Sequence, residues 1–234
     1  MMRSISAILF FWAFVSSAGI VVAENALPRV LILGDQIYQQ PASELRKELK
    51  GKVEVHYPML EPGEVWNSTT ALDLVDRKLG DGQWDLIHFN CGLGDLIYRV
   101  PGVKAFRVMP KHAGGVRATD TKQYERNLHM LVTRLKASGA KLIWGTTTPI
   151  RHSATNVFTK GTEIEYNAIA AKVMAKHGIP TNDMYAFVKG LIDMNKPAGH
   201  GADPFFFDRK PIHSPLLDIL RKYLGVVPVN LSKP

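Results

Sequence analysis

Short apolar runs alternate with longer amphipathic stretches along most of the chain. Residues 29–33 (RVLIL), 85–90 (DLIHFN) and 141–145 (KLIWG) each centre on such a run, which is typical of strands buried in a parallel sheet. Residues 53–57 (VEVHY) alternate as a strand does, and 179–181 form a further short extended piece. This order predicts an α/β fold, a three-layer α/β/α sandwich with a parallel sheet of about five strands.

The amphipathic stretches predict the helices that cover this sheet. The clearest begins at Asp120 or Thr121, either of which can cap it, and its apolar residues recur every three or four positions. The last begins at Ser214-Pro215, which places proline at the first helical position. Ser68 or Thr69 can cap another. The predicted helices are 41–49, 68–79, 120–138, 163–177, 183–194 and 214–224. The long segment 93–119 is predicted to be an irregular loop of the kind that often serves as a lid.

The first 23 residues have the pattern of a secretory signal. A basic residue, Arg3, precedes an apolar segment, and small residues up to Ala23 follow it. The alternative is an uncleaved membrane anchor, because residues 5–23 carry no charge. Cleavage is favoured because the apolar core is short. The sequence therefore predicts a signal peptide at 1–23, one domain at 24–234, and a secreted or periplasmic protein.

Charge and cysteine content narrow the classes of partner. The formal net charge is +8, which favours solubility and leaves an acidic glycan as an alternative partner. No run of five like charges is present, so a nucleic-acid partner is not expected. Cys91 is the single cysteine, and it is expected to be buried and inert. The alternative for Cys91 is a thiolate nucleophile with His213 as its base.

Polar residues and glycines follow the predicted strands, at the edge where parallel sheets bind ligands. Gly34-Asp35-Gln36 follows the first strand and Gly92-Leu93-Gly94-Asp95 the third, and His213 precedes the last helix. With this layout the chain resembles the SGNH/GDSL hydrolases over nearly all of its mature length. The runs IHFNCGLGDL, KLIWGTTTP and NDMYAFV resemble one exported bacterial branch of that family.

The resemblance implies an acyl-transfer site in which a serine attacks an ester carbonyl. The serine of the family's Gly-Asp-Ser block falls on Gln36 in this sequence. The base of its Asp-x-x-His pair falls on His213, but Lys210 stands where aspartate is expected. Among the acids that precede His213, Asp208 is the nearest, five positions before it. The resemblance thus assigns catalytic positions to His213, Asp208 and the substituted Gln36.

Oxyanion donors and substrate contacts are implied by the family's other blocks. Gly94 stands where the Gly-x-Asn-Asp block has asparagine, and Gly63 or Asn67 matches the second-block donor. The substrate-binding positions are therefore Asp35, Gly63, Asn67, Gly92, Gly94 and Asp95. Asp35 is expected to bind backbone amides at its turn, with activation of water as the alternative. We expect Gln36, Gly92, Asp95 and His213 to line one cleft.

Two functions follow from these residues. The first is an exported ester hydrolase with an altered site, acting on acylated or acetylated carbohydrate. The second is an inactive relative that binds a glycan or another small ligand, because a glutamine amide is not a nucleophile at neutral pH. The sequence shows no metal-ligand spacing, and neither a metal nor a cofactor is expected.

Overall fold

The structure is a computed structural model that describes residues 26–103, 105–151, 156–196 and 207–228. The predicted signal peptide, 1–23, lies outside these ranges. The described ranges contain seven strands, which are β1 (Arg29–Leu33), β2 (Glu54–His56), β3 (Leu86–Phe89), β4 (Tyr98–Arg99), β5 (Val116–Arg117), β6 (Lys141–Gly145) and β7 (Thr181–Asn182). The helices there are α1 (Gln39–Glu48), α2 (Ser68–Leu79), α3 (Leu93–Leu96), α4 (Thr121–Lys136), α5 (Thr162–His177), α6 (Met184–Leu191) and α7 (Ser214–Leu224).

Five strands form one parallel sheet in the order β2-β1-β3-β6-β7. Leu31 of β1 lies beside His56 of β2 on one side and Ile87 of β3 on the other. From β1 the chain first moves outward to β2 and then crosses back to β3. The strand order therefore reverses at β1 and β3, where a crevice opens beyond their carboxyl ends.

Two apolar clusters cover the two faces of the sheet. One joins the sheet to α2, α4 and α5, and the other joins it to α1, α6 and α7. Alternate strand residues serve the two clusters: Leu31 and Leu33 face the first, whereas Val30 and Ile32 face the second. The predicted three-layer α/β/α sandwich with five parallel strands is confirmed.

The segment 93–119 is more regular than its sequence predicts. It contains α3 and an antiparallel pair of strands, β4 and β5, in which Tyr98 pairs with Arg117. Each strand of this pair has only two residues. Such short strands leave almost no periodic signal in a sequence, because periodicity needs several residues to show.

Helix ends differ modestly from the predictions. Asp120 caps α4 as expected, accepting a hydrogen bond from Gln123 N at 2.8 Å. At α2 the cap is Asn67, whose side chain accepts from Thr70 N at 2.8 Å. Ser68, one of the two predicted caps, is instead the first residue of the helix, and its hydroxyl donates to the buried carboxylate of Asp95. None of the helices in the described ranges is long and apolar enough to cross a membrane.

Candidate functional site

A mostly apolar cleft of about 230 Å³ lies at the carboxyl ends of β1 and β3, where the strand order reverses. Its walls come from the turn after β1, the loop between β2 and α2, and α3. We call it the apolar cleft. It is lined by Asp35, Gln36, Ile37, Leu60, Glu64, Val65, Trp66, Leu93, Gly94, Ile97, Phe106 and Phe158.

The turn after β1 presents Asp35 and Gln36 to this cleft. Asp35 caps the short 3-10 turn Gln36–Tyr38, and its carboxylate accepts a hydrogen bond from Ile37 N at 3.0 Å. Burial raises the pKa of Asp35 from 3.8 to about 6, although the Ile37 amide opposes the shift. The Gln36 side chain is exposed at the mouth of the cleft. The position at which the family resemblance implies a nucleophilic serine is therefore occupied by the solvent-exposed amide of Gln36.

Charged contacts hold the loop that forms the outer wall. Arg77 of α2 pairs with both Glu61 and Glu64. Lys78 of α2 donates to the carbonyl of Met59 at 2.6 Å. These contacts fix the loop against α2, so the wall that carries Leu60, Val65 and Trp66 has a defined position.

Two glycines after β3 are required for packing. A Cβ on Gly92 would lie 1.9 Å from Thr147 Oγ1, and a Cβ on Gly94 would lie 2.2 Å from the carbonyl oxygen of Trp66. Both distances are far inside van der Waals contact. The space that an asparagine side chain would need at position 94 is therefore occupied by the backbone of the cleft wall.

Asp95 anchors α2 and is not a lining residue of the apolar cleft. Its side chain is fully buried and accepts from Ser68 N and from Ser68 Oγ, the latter at 2.6 Å. Asn127 of α4 donates to the same hydroxyl at 3.0 Å. Burial raises the pKa of Asp95 from 3.8 to about 6, and the Ser68 contacts oppose this shift. The network connects α3 to the first turn of α2.

Gly63 and Asn67 border a neighbouring cavity instead of the apolar cleft. The Asn67 side-chain oxygen is occupied by the two amides it caps, Thr69 N and Thr70 N. Gly63 has a left-handed backbone, with φ of 85°. Asn67 thus has a capping role at α2, and the second-block donor role suggested for either residue stays a prediction.

His213 faces α1. Its Nε2 lies 2.7 Å from Glu48 Oε1, within hydrogen-bond distance. Among the described lining residues, neither of the two cavities beside Gln36 includes His213. The acidic partner that the structure gives His213 is therefore Glu48, which lies 165 positions away along the chain. The role of His213 as a base stays a prediction.

Asp208 has a different partner. Its two carboxylate oxygens accept from Arg151 Nη1 and Nη2 at 2.7 and 2.8 Å. The Arg151 side chain is 1% exposed, and its hydrogen bonds lower the pKa of Asp208. The sequence analysis predicted Asp208 as the acid that partners His213. The hydrogen bonds that the structure describes instead join Asp208 to Arg151, in the loop after β6.

A second cavity of about 380 Å³ adjoins the first and shares Gln36 and Ile37 with it. We call it the basic cavity. It is lined by Gln36, Ile37, Gln40, Phe207, Arg209, Lys210 and Ile212. Gln36 therefore stands between an apolar space and a space bordered by two cations.

Cys91 does not have the features of a nucleophile. It is fully buried at the end of β3, and burial raises the pKa of its thiol well above the ordinary value. A neutral thiol shielded from solvent attacks carbonyls poorly. No cluster of three or more metal-ligating side chains occurs within the described ranges.

The structure brings together Asp35, Gln36 and Gly94 from the predicted site residues. Of the four residues expected in one cleft, Gln36 lines the apolar cleft, whereas Gly92, Asp95 and His213 are not among its described lining residues. Sequence reasoning missed the apolar walls, including Trp66, Phe106 and Phe158. Only the position of Trp66 could have predicted its role, because it lies in the loop after β2, and loops that follow parallel strands lie at the ligand-binding edge of the sheet.

The fold is shared with solved esterases and lipases. A lipase/acylhydrolase from Enterococcus faecalis matches with a TM-score of 0.59 and 11% identity, over 84% of this chain and 96% of that one. A catalytic mutant of an acetylxylan esterase from Geobacillus stearothermophilus matches with a TM-score of 0.58 and 14% identity, over 86% of this chain and 95% of that one. A GDSL-like lipase from Bacteroides thetaiotaomicron matches with a TM-score of 0.56 and 15% identity, over 83% of this chain and 88% of that one.

These structures confirm the resemblance to SGNH/GDSL hydrolases at the level of the fold. No protein-family model and no curated protein sequence matches the chain. Because a fold hosts many functions, activity has to be judged from the site residues themselves.

Proposed function

We propose that this protein is a non-hydrolytic binding protein built on an esterase-type scaffold. Its ligand is a small acyl-bearing molecule, such as an acylated or acetylated carbohydrate, held in the apolar cleft. The observation that carries the proposal is Gln36, an exposed amide at the mouth of the cleft and at the position where the resemblance implies a serine. An amide donates and accepts hydrogen bonds but does not form an acyl intermediate.

The lining of the cleft suits an acyl group. Leu60, Ile97, Phe106 and Phe158 present apolar surface, and burying such surface contributes roughly 25 cal/mol per Å². Gln36 can donate to a carbonyl or hydroxyl oxygen at the mouth. The structural relatives include an acetylxylan esterase, which supports an acetylated saccharide as the first ligand to test.

The test combines binding and turnover. Calorimetry should detect an acetylated xylo-oligosaccharide, and the deacetylated oligosaccharide should bind more weakly. Phe106→Ala removes an aromatic from the cleft and should weaken binding. Phe187→Ala is the matched control, because Phe187 packs on the opposite face of the sheet. Turnover of an aryl acetate by the wild-type protein at rates typical of esterases would contradict the proposal.

A second candidate is ester hydrolysis by water that Asp35 activates. The observation favouring it is the position of Asp35 on the cleft together with its pKa of about 6, which suits a general base near neutral pH. Hydrolysis that increases as pH rises through 6 and disappears in Asp35→Asn would establish this function. Hydrolysis unaffected by Asp35→Asn would exclude it.

Export is proposed from the pattern of residues 1–23. Expression of the full chain in a secreting host should yield a mature protein that begins at Glu24. Mass spectrometry of the purified protein checks this. An intact N-terminus retained in the membrane fraction would favour the anchor alternative.

A further inference from the structure

Positive charge is concentrated between Asp95 and Asp120. Residues 96–119 contain five lysine or arginine residues and no aspartate or glutamate. The five are Arg99, Lys104, Arg107, Lys111 and Arg117. This segment therefore contributes +5 to a formal net charge of +8. A surface that needs charge only for solubility mixes both signs, so this concentration points to an anionic partner.

Carboxylates do not neutralise the segment. None of the ion pairs within the described ranges involves one of its cations. The two flanking acids have other roles, because Asp95 is bound to Ser68 and Asp120 caps α4. The residues outside the described ranges include only two acids, Glu24 and Asp203. Two carboxylates are too few to balance five cations, so the segment keeps a positive charge wherever those two acids lie.

Backbone pairing arranges the segment as a small antiparallel ribbon. Arg99 of β4 pairs with Val116 of β5 on one side and forms a bridge with Val108 on the other. Directly opposed residues of antiparallel strands project from the same face, so these three side chains form one row. Val108 and Val116 are 48% and 46% exposed. We call residues 98–117 the basic ribbon and this row its outer row.

The other face of the basic ribbon packs on the protein. Tyr98, which precedes Arg99 in β4, is 6% exposed. Arg117 lies over the rings of Tyr98 and Tyr166, and Tyr166 is buried on α5. The outer row therefore faces away from the body of the domain. Two further cations of the ribbon, Arg107 and Lys111, are also exposed.

Apolar side chains are exposed among these cations. Three of the eight large apolar side chains that are exposed within the described ranges lie in this segment, namely Val103, Val108 and Val116. Apolar groups mixed with cations are typical of surfaces that bind anionic bilayers, where the apolar groups enter the boundary between head groups and acyl chains. A soluble polyanion has no apolar layer that could bury the valines. Charge and apolar exposure together therefore favour a lipid surface.

We propose that the basic ribbon is a docking surface for an anionic lipid bilayer. Val108 and Val116 enter the interfacial layer, and the cations around them contact anionic head groups. Phe106 of the ribbon also lines the apolar cleft, so docking brings the mouth of the cleft to the lipid surface. This interaction does not depend on which ligand the cleft holds.

The test is sedimentation of the secreted protein with lipid vesicles in about 0.15 M salt, which screens charges on distant faces. One set of vesicles is phosphatidylcholine, and the other contains about 30% phosphatidylglycerol, an anionic lipid. Each Lys or Arg near an anionic surface strengthens binding by about fivefold. The double variant Arg107→Gln/Lys111→Gln should therefore bind the anionic vesicles about 25-fold more weakly than the wild type.

Lys189→Gln/Lys222→Gln is the matched control. Both lysines are exposed, on α6 and α7, which cover the opposite face of the sheet from α5. Each lies over a tyrosine ring, as Lys111 does. The control removes the same charge and should bind as the wild type does. Equal weakening by both double variants would show that net charge acts without the ribbon, and would overturn the proposal.

A second measurement reports on the valines and does not require the charge variants to fold. Val108→Cys is labelled with a fluorophore that is sensitive to polarity, and the native Cys91 stays unlabelled because it is fully buried. Emission should shift to the blue on anionic vesicles, whereas the same label on Lys222→Cys should not respond. Vesicle binding without a shift at position 108 would contradict insertion of the outer row.

The remaining outcomes also decide the proposal. Equal binding to the neutral and the anionic vesicles would overturn it. Binding to polygalacturonate, an acidic polysaccharide, but not to the anionic vesicles would identify a soluble polyanion as the partner and would likewise overturn it. Neither result bears on the proposed function, which is tested separately with the acetylated oligosaccharide.

Discussion

Gly94 offers the sharpest test of how the cleft is built. A Cβ at this position would lie 2.2 Å from the carbonyl oxygen of Trp66, 3.0 Å from its carbonyl carbon and 3.1 Å from Cβ of Asn67. The backbone of Gly94 does not have positive φ, so alanine is not excluded by conformation. The effect of Gly94→Ala therefore reports the close approach of the cleft wall.

The wall cannot move aside cheaply. Trp66 is 2% exposed, and its indole nitrogen donates to the carbonyl of Asn90 at 2.6 Å. The next residue, Asn67, caps α2. Because the opposing atoms belong to an anchored backbone, relief requires a shift of about 1 Å in α3 or in the wall. Overpacking of this kind costs about 1–3 kcal/mol, which corresponds to a Tm lowered by roughly 2–12 °C for a domain of this size.

Gly190→Ala is the matched control. Gly190 lies within α6 and does not have positive φ, and a Cβ there would meet no neighbouring group within 4 Å beyond the backbone of its own helix. Alanine at this position should stabilise the protein by roughly 0.5–1 kcal/mol, because it favours the helix. Urea denaturation followed by tryptophan fluorescence measures both variants. If Gly94→Ala is as stable as the wild type while Gly190→Ala is stabilised, the tight contact at Trp66 is refuted.

Three further predictions follow from the site. A serine-directed organophosphorus probe should form no adduct with the wild type. Gln36→Ser alone should not restore labelling, because the His213 imidazole faces Glu48. Intact-protein mass spectrometry measures the adduct, and a stoichiometric adduct on the wild type would refute the first of these predictions. The pKa of Asp95 rises from 3.8 in the unfolded chain to about 6 in the folded protein. The free energy of unfolding should therefore keep the full contribution of Asp95 below pH 3.8 and should fall by about 3 kcal/mol as pH rises through 6. Urea titrations across this range should show the loss, and Asp95→Asn should reduce it by about half, because the pKa of Asp35 is raised over the same range. Cys91 should react with a thiol reagent in urea but not in the native protein; equal rates would contradict its burial.

The sequence alone determined the layers and the direction of the sheet. The strands at 29–33 and 141–145 were predicted at the bounds that the structure has, because a buried strand is recognisable from its local apolar run. The alternation of strands and helices then required parallel pairing. It also placed Asp35 and Gln36 at the binding edge, since residues that follow parallel strands share one edge.

The tertiary structure decided which of these residues meet. His213 and Glu48 are 165 positions apart, and Arg151 and Asp208 are 57 apart. No local pattern records such pairs, because they depend on how α1 and the loops pack against the sheet. Likewise, the sequence identified Gly94 only as a position where an oxyanion-donating asparagine is missing. The structure shows that a side chain at this position is excluded by the carbonyl oxygen of Trp66. Periodicity fixes the elements of a fold, and contacts between distant elements fix its chemistry.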